Sequence, residues 1–183
     1  MSLAPSLREA MLGAVPNLRA FAISLSRNVD RADDLVQETL LRAIDNIDSF
    51  QPGTNMSAWL FTILRNLFRS EYRKRRREVE DPDGNYASTL NSPPQQHGRV
   101  EFEEFAVALE TLPPDQREAI VLVGASGFSY EEAAAICGCA VGTIKSRVNR
   151  ARTRLVELLA IDNIDDVSPN RTFSSVLGAD NCR

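Results

Sequence analysis

The sequence predicts an all-α protein, two small helical domains joined by a flexible linker. Three observations carry that reading. Apolar residues recur at helical spacing in two separate stretches of the 183-residue chain. Between them lies EVEDPDGNYASTLNSPPQQHG, polar, rich in Pro and Gly, and without apolar periodicity. Each stretch also ends in a long helix carrying a dense set of basic residues. The expected organisation is a first domain over 7–77, the linker over 78–100, a second domain over 101–159, and a poorly ordered polar tail over 160–183.

In the first domain, Asp30 is the expected N-cap of a helix that buries Leu35, Leu40, Leu41 and Ile44. NIDSFQPGTN breaks it, because Pro52 and Gly53 are turn residues. A second long helix is expected to start near Ser57 and run through the arginines. In the second domain, Phe102, Phe105, Ala106, Leu109 and Leu112 share one stripe. Pro113 and Pro114 end that helix and open the next, DQREAIVLVGA. The run IVLV could by itself be a strand, but its neighbours favour helix. Ser129 and Glu132 form an S-x-x-E capping box before YEEAAAIC, Gly138 supplies a turn, and VGTIKSRVNRARTRLVELL is the last helix. Helix, short glycine-containing turn, helix is the helix-turn-helix layout.

Composition bounds the function. Hydrophobic residues make up 43% of the chain, enough for two small cores. No apolar run approaches the ~18 residues that would span a bilayer, and the N-terminal residues lack a signal-peptide layout, so a cytoplasmic location and no membrane insertion are expected. The net charge is −4, yet twelve of the 21 Lys and Arg fall in 65–77 and 145–154. Acids concentrate in 30–48 and 101–118. Two basic faces on an acidic body suit a nucleic-acid partner.

On the last helix Val141, Ile144, Val148, Ala151, Leu155 and Leu158 form one stripe, with Gly142, Ser146, Asn149, Arg150 and Thr153 opposite. Lys145 and Arg152 flank one side; Thr143, Arg147 and Arg154 flank the other. Small polar groups between cationic shoulders fit the major groove, with the centre reaching base edges and the shoulders holding phosphates. On this geometry Arg150 reads a base and Arg147 grips phosphate. In the first domain Trp59, Leu60, Phe61, Ile63, Leu64, Leu67 and Phe68 make a wide apolar arc, leaving Thr62, Arg65, Asn66, Arg69 and Arg73 on the other face. Phe50 has two readings, a cap on the small core or a platform for an unpaired base.

These residues, in this order, resemble the extracytoplasmic-function group of sigma-70 family factors. The resemblance rests on Ala32-Asp33-Asp34-Leu35-Val36-Gln37-Glu38-Thr39, Ser57-Ala58-Trp59-Leu60-Phe61 followed by Arg65-Asn66, Leu112-Pro113-Pro114-Asp115-Gln116-Arg117, and Val141-Gly142-Thr143-Ile144-Lys145-Ser146-Arg147 with Arg150-Ala151-Arg152 behind. It covers about 7–159 and says nothing of the tail. The second domain also looks like the alphaproteobacterial general-stress (EcfG-type) subgroup.

The resemblance implies a sigma factor that directs RNA polymerase core to promoters, with a region 2-like bundle and a region 4-like helix-turn-helix domain. It implies docking on the β′ clamp helices through Asp33, Asp34, Leu35, Gln37 and Glu38, with the β flap as a further polymerase contact. Asn66 and the loop beginning at Phe50 match positions that recognise the −10 element, and Thr62, Arg65, Arg69 and Arg73 share that assignment. Thr143, Lys145, Ser146, Arg147, Asn149 and Arg150 are assigned to the −35 element. A small anti-sigma protein is the implied regulator, and stress-response genes the implied targets.

Two rivals remain: a sigma-mimicking protein that titrates an anti-sigma factor, and a stand-alone helix-turn-helix regulator. The first should carry a receiver domain and an eroded recognition helix; the second needs a dimer or ligand module. Neither fits. An enzyme is not expected, since the single histidine, His97, lies in the linker and no Gly-rich phosphate loop is present. Cys137-x-Cys139 would need His97 and Cys182 to complete a zinc set, so neither metal nor cofactor is expected. Cys137 reads as core between the last two helices and Cys139 as a turn residue.

Overall fold

The computed structural model describes residues 5–78 and 98–159, with the side chains of 76–78 and 98–103 left aside. The chain divides into two compact units between Leu90 and Asn91. That division, most of the expected linker, His97, the tail and Cys182 lie outside the described residues. Every element within them is helical.

The first unit holds three long helices, α1 (Pro5–Ser26), α2 (Val29–Asp45) and α3 (Met56–Glu78), with a 3₁₀ turn at Ile47–Ser49. α1 reverses into α2 at Arg27, whose φ of 56° is the described non-glycine exception in the left-handed region. The N-cap of α2 is Asn28, not Asp30: its side-chain oxygen accepts from the Arg31 N–H at 2.8 Å. Asp30 sits in the first turn, where an acid faces the positive helix end. Asn55 plays the capping part for α3, accepting from the Ala58 N–H at 3.3 Å.

α3 packs against both α1 and α2. Leu60, Phe61, Leu64 and Leu67 are buried, and the Phe61 ring stacks on Phe21 of α1 with centroids 5.0 Å apart. That separation lies in the favourable range for aromatic pairs. On α2 the buried set is Ala32, Leu35, Val36, Thr39 and Ala43. This corrects the expected stripe: Leu41 and Ile44 are 59% and 45% exposed. The small residues Ala32 and Ala43 face inward instead, which lets α2 lie close to its neighbours.

The second unit comprises α4 (Gly98–Thr111), α5 (Pro114–Ile120), a π turn (Val121–Ala125), α6 (Tyr130–Cys137) and α7 (Val141–Leu159). Pro114 opens α5, where its missing N–H costs nothing. The IVLV run is helical and buries Ile120, Val121 and Leu122; the wider turn is closed by the Ser126 N–H to the Val121 carbonyl at 2.9 Å. α7 packs against α4, α5 and α6 through Ile144, Val148, Ala151 and Leu155. Phe105 and Ala108 of α4 are buried, as is Leu112 just past its end.

Candidate nucleic-acid interface

The second unit builds its site at the α6–α7 corner. Ser129 and Glu132 close a reciprocal capping box: the Glu132 N–H donates to Ser129 Oγ at 3.1 Å, and the Ser129 N–H to Glu132 Oε2 at 2.9 Å. Such a cap is worth about 1 kcal/mol, and it fixes where α6 begins. α6 ends at Gly138 with φ 62° and ψ 42°, a left-handed corner that glycine takes without a Cβ penalty. Cys137 is buried and Cys139 half-buried, as core and turn residues respectively.

Ile144, Val148, Ala151 and Leu155 of α7 are held inward, while Val141 is half-buried and Leu158 at the far end of the expected stripe is 38% exposed. α7 presents Gly142, Lys145, Ser146, Asn149, Arg150, Thr153 and Arg154 to solvent. Thr143 is half-buried, and its carbonyl accepts from Ser146 Oγ at 2.9 Å. Lys145 Nζ stands 5.8 Å from the centroid of the Tyr130 ring, a cation–π approach that aims the ammonium. Arg154 pairs with Glu157 at 2.9 Å. Asn149 and Arg150 line a shallow groove with Gln116 and Pro113 of the neighbouring segment.

Arg147 behaves differently from the wheel's expectation. Its Nη2 donates to Asp115 Oδ2 of α5 at 2.7 Å, and its Nη1 points to Cys139 Sγ at 3.8 Å. Only 22% of its side chain is exposed. The guanidinium is turned toward the protein, so a free phosphate-gripping shoulder is not what the structure places there. A wheel of α7 alone contains neither Asp115, Gln116 nor Tyr130. The S-x-x-E box locates Tyr130 at the first turn of α6; nothing local in the sequence points to the other two.

In the first unit α3 exposes Asn66, Arg69 and Arg73. Thr62 is half-buried, and its Oγ1 donates to the Ala58 carbonyl at 2.8 Å. Arg65 is 4% exposed and belongs to the interior, a correction to its place on the open face. Phe50 is buried too, its ring centroid 5.3 Å from that of Trp59. Of its two readings, the core cap is the one this structure adopts. Asn66 instead lines a groove of about 460 Å³ with Arg42, Asn46, Ser49, Trp59 and Ser70 among others.

The acidic segment of α2 is divided by the same logic. Asp34 and Gln37 are exposed. Glu38 pairs with Arg42 at 2.8 Å. Leu35 is 2% exposed and cannot offer its side chain to a partner. Asp33 takes a forked contact from Arg19 of α1 at 2.6 and 3.2 Å. The Arg19 hydrogen bond, opposed by slight desolvation, holds the Asp33 carboxyl below the usual carboxylate range. The exposed face therefore reads Asp34, Gln37, Leu41, Ile44, an acid and an amide beside two uncovered apolar groups. Among the described residues no cluster of three His, Cys, Asp or Glu could hold a metal, and no helix is long and apolar enough to cross a membrane.

Taken by geometry, the class is a helix-turn-helix DNA-binding protein with a second helical unit bearing its own basic helix. Comparison with known proteins narrows it. The family described as Sigma-70 region 2 matches residues 13–78, and Sigma-70, region 4 matches residues 102–155. The chain is 71% identical over 178 residues to the ECF RNA polymerase sigma factor EcfG of Rhodopseudomonas palustris, covering 97% of this chain and 98% of that one. It is similar to the sigma factor RpoE solved with the anti-sigma factor NepR from Bartonella quintana, at 57% identity and a TM-score of 0.80 over 87% of this chain and all of that one. CnrH, solved with the cytosolic domain of CnrY, is 32% identical with a TM-score of 0.57, over 82% of this chain and 84% of that one. The chain belongs to the sigma-70 family, within its extracytoplasmic-function sigma factors, regulators that direct RNA polymerase to promoters and start transcription.

Proposed function

We propose that the two units divide promoter recognition between them. The domain over 7–77 docks on polymerase core and opens the −10 element; the domain over 101–159 reads the −35 element. The observation that carries this is the α7 face: Lys145, Ser146, Asn149 and Arg150 stand exposed on a helix whose start is fixed by a capped α6 and a left-handed Gly138. A rigid corner of that kind can set small polar side chains against base edges while cations meet phosphates. Asn66, Arg69 and Arg73, with Thr62 at their edge, form the −10 face, and Phe50 and Arg65 support it from the interior. Asp34, Gln37 and Glu38 dock on the β′ clamp helices, with Asp33 and Leu35 holding α2 in place behind them. The β flap is the further polymerase contact.

The chemistry of RNA synthesis belongs to the polymerase, and this chain acts without catalysis of its own, in the cytoplasm where promoter DNA is found. RpoE was solved with the anti-sigma factor NepR, so a small anti-sigma protein is the proposed regulator. Likeness to EcfG points to stress-response genes as targets. Run-off transcription with core polymerase tests the reading. Promoter-specific transcripts should require this protein; equal transcripts with and without it would overturn the proposal.

A further inference from the structure

Arg147 is tied to two other parts of the second unit, α5 through Asp115 and the α6–α7 turn through Cys139. Asp115 lies in the first turn of α5, an element that no DNA-facing wheel includes. The same turn of α5 borders the recognition face on its other side, where Gln116 shares a groove with Asn149 and Arg150. α5 thus holds α7 at Arg147 and borders it along 149–154, the stretch just behind the exposed residues Lys145 and Ser146.

We propose that Asp115 is a positioning residue for −35 recognition. It acts through Arg147, fixing the rotation of α7 about its axis and removing Arg147 from the set of phosphate contacts. The inference rests on the −35 assignment of α7. A helix turns ~100° per residue, so a small axial rotation moves Asn149 and Arg150 off their base edges while leaving the fold intact. Arg147 supplies the geometry such a strut needs, because its planar fork can hold a carboxylate and a second acceptor at once. The DNA-facing cations are then Lys145, aimed by Tyr130, and Arg150.

The test is binding of holoenzyme, assembled from the full chain, to a promoter fragment with an intact or a scrambled −35 element, across salt concentrations. Asp115→Asn and Arg147→Ala should each reduce the intact-to-scrambled preference roughly two- to fivefold, the range expected for a partly exposed ion pair. The double variant should lose no more than either single one, Asp115→Glu should recover most of the preference, and the salt slope should stay unchanged in all. If Asp115→Asn tightened binding and steepened the salt slope by about one unit, Arg147 would be a phosphate contact restrained by Asp115, and the proposal would fall. It would fall equally if Arg147→Ala alone lowered the slope by about one, if the two losses added, or if both fragments weakened alike. Parent holoenzyme showing no preference for the intact element would instead remove the −35 assignment itself.

Discussion

The two basic helices, α3 and α7, look alike in sequence and are packed differently. α7 buries a narrow stripe, Ile144, Val148, Ala151 and Leu155, and leaves most of its polar face open. α3 packs against both α1 and α2 and buries a wide arc that takes in Leu60, Phe61, Leu64, Leu67 and the guanidinium-bearing Arg65. Surrounding a helix on two sides converts part of its polar face into interior. A helical wheel misplaces one cation on each helix, Arg65 on α3 and Arg147 on α7, because the direction from which neighbouring helices approach, not the residue pattern or the number of neighbours, decides which side chains stay open.

The largest expected effect tests the enclosed state of α3. Phe61→Ala removes a ring stacked on Phe21 and should cost about 3–5 kcal/mol, measured by denaturant unfolding of the full chain. A loss below about 1 kcal/mol would mean that α3 is not enclosed as described. Next comes the contrast between Arg65 and Arg150. Arg65→Ala should lower stability by about 1–3 kcal/mol, because it disturbs a buried polar group and its surroundings. Arg150→Ala should leave stability within about 0.5 kcal/mol but weaken −35 binding by about 1–3 kcal/mol and relax one base preference. The comparison breaks if unfolding and promoter-binding measurements assign the two arginines the other way round.

Smaller effects sharpen the helix boundaries. Asn28→Ala and Ser129→Ala each remove a cap and should cost about 0.5–2 kcal/mol, whereas Asp30→Ala should cost less than Asn28→Ala. Melting of the three variants ranks them, and an Asp30 effect exceeding that of Asn28 would restore the sequence-based boundary. The smallest effect is acid sensitivity at the α1–α2 contact. Asp33 has its folded-state carboxyl lowered by Arg19, so its contribution is present above the ordinary Asp range near about pH 4 and is lost as pH falls through the lowered value. Asp33→Asn should flatten that acid limb of the stability–pH curve and leave the neutral limb parallel to the parent's. An unchanged acid limb would show that the exposed pair contributes nothing to folding, which is common for surface ion pairs.

The sequence alone determined the features whose causes are local. Helical periodicity, the Ser129–Glu132 box, the left-handed Gly138 and the stripe of α7 are settled within a few residues of one another, so the helix-turn-helix corner and most of its exposed residues were legible before any coordinates. The family resemblance was legible for a related reason, since its motifs are contiguous. Only the tertiary structure decided which face of a helix meets which neighbour. It turned Leu41 and Ile44 outward, because small residues let α2 pack closely on its other side. It drew Phe50 and Arg65 inward beneath the face they were assigned to. It tied Arg147 to Asp115, 32 positions away in sequence. Contacts at that separation depend on how helices cross, and the periodicity of a single helix carries no information about that.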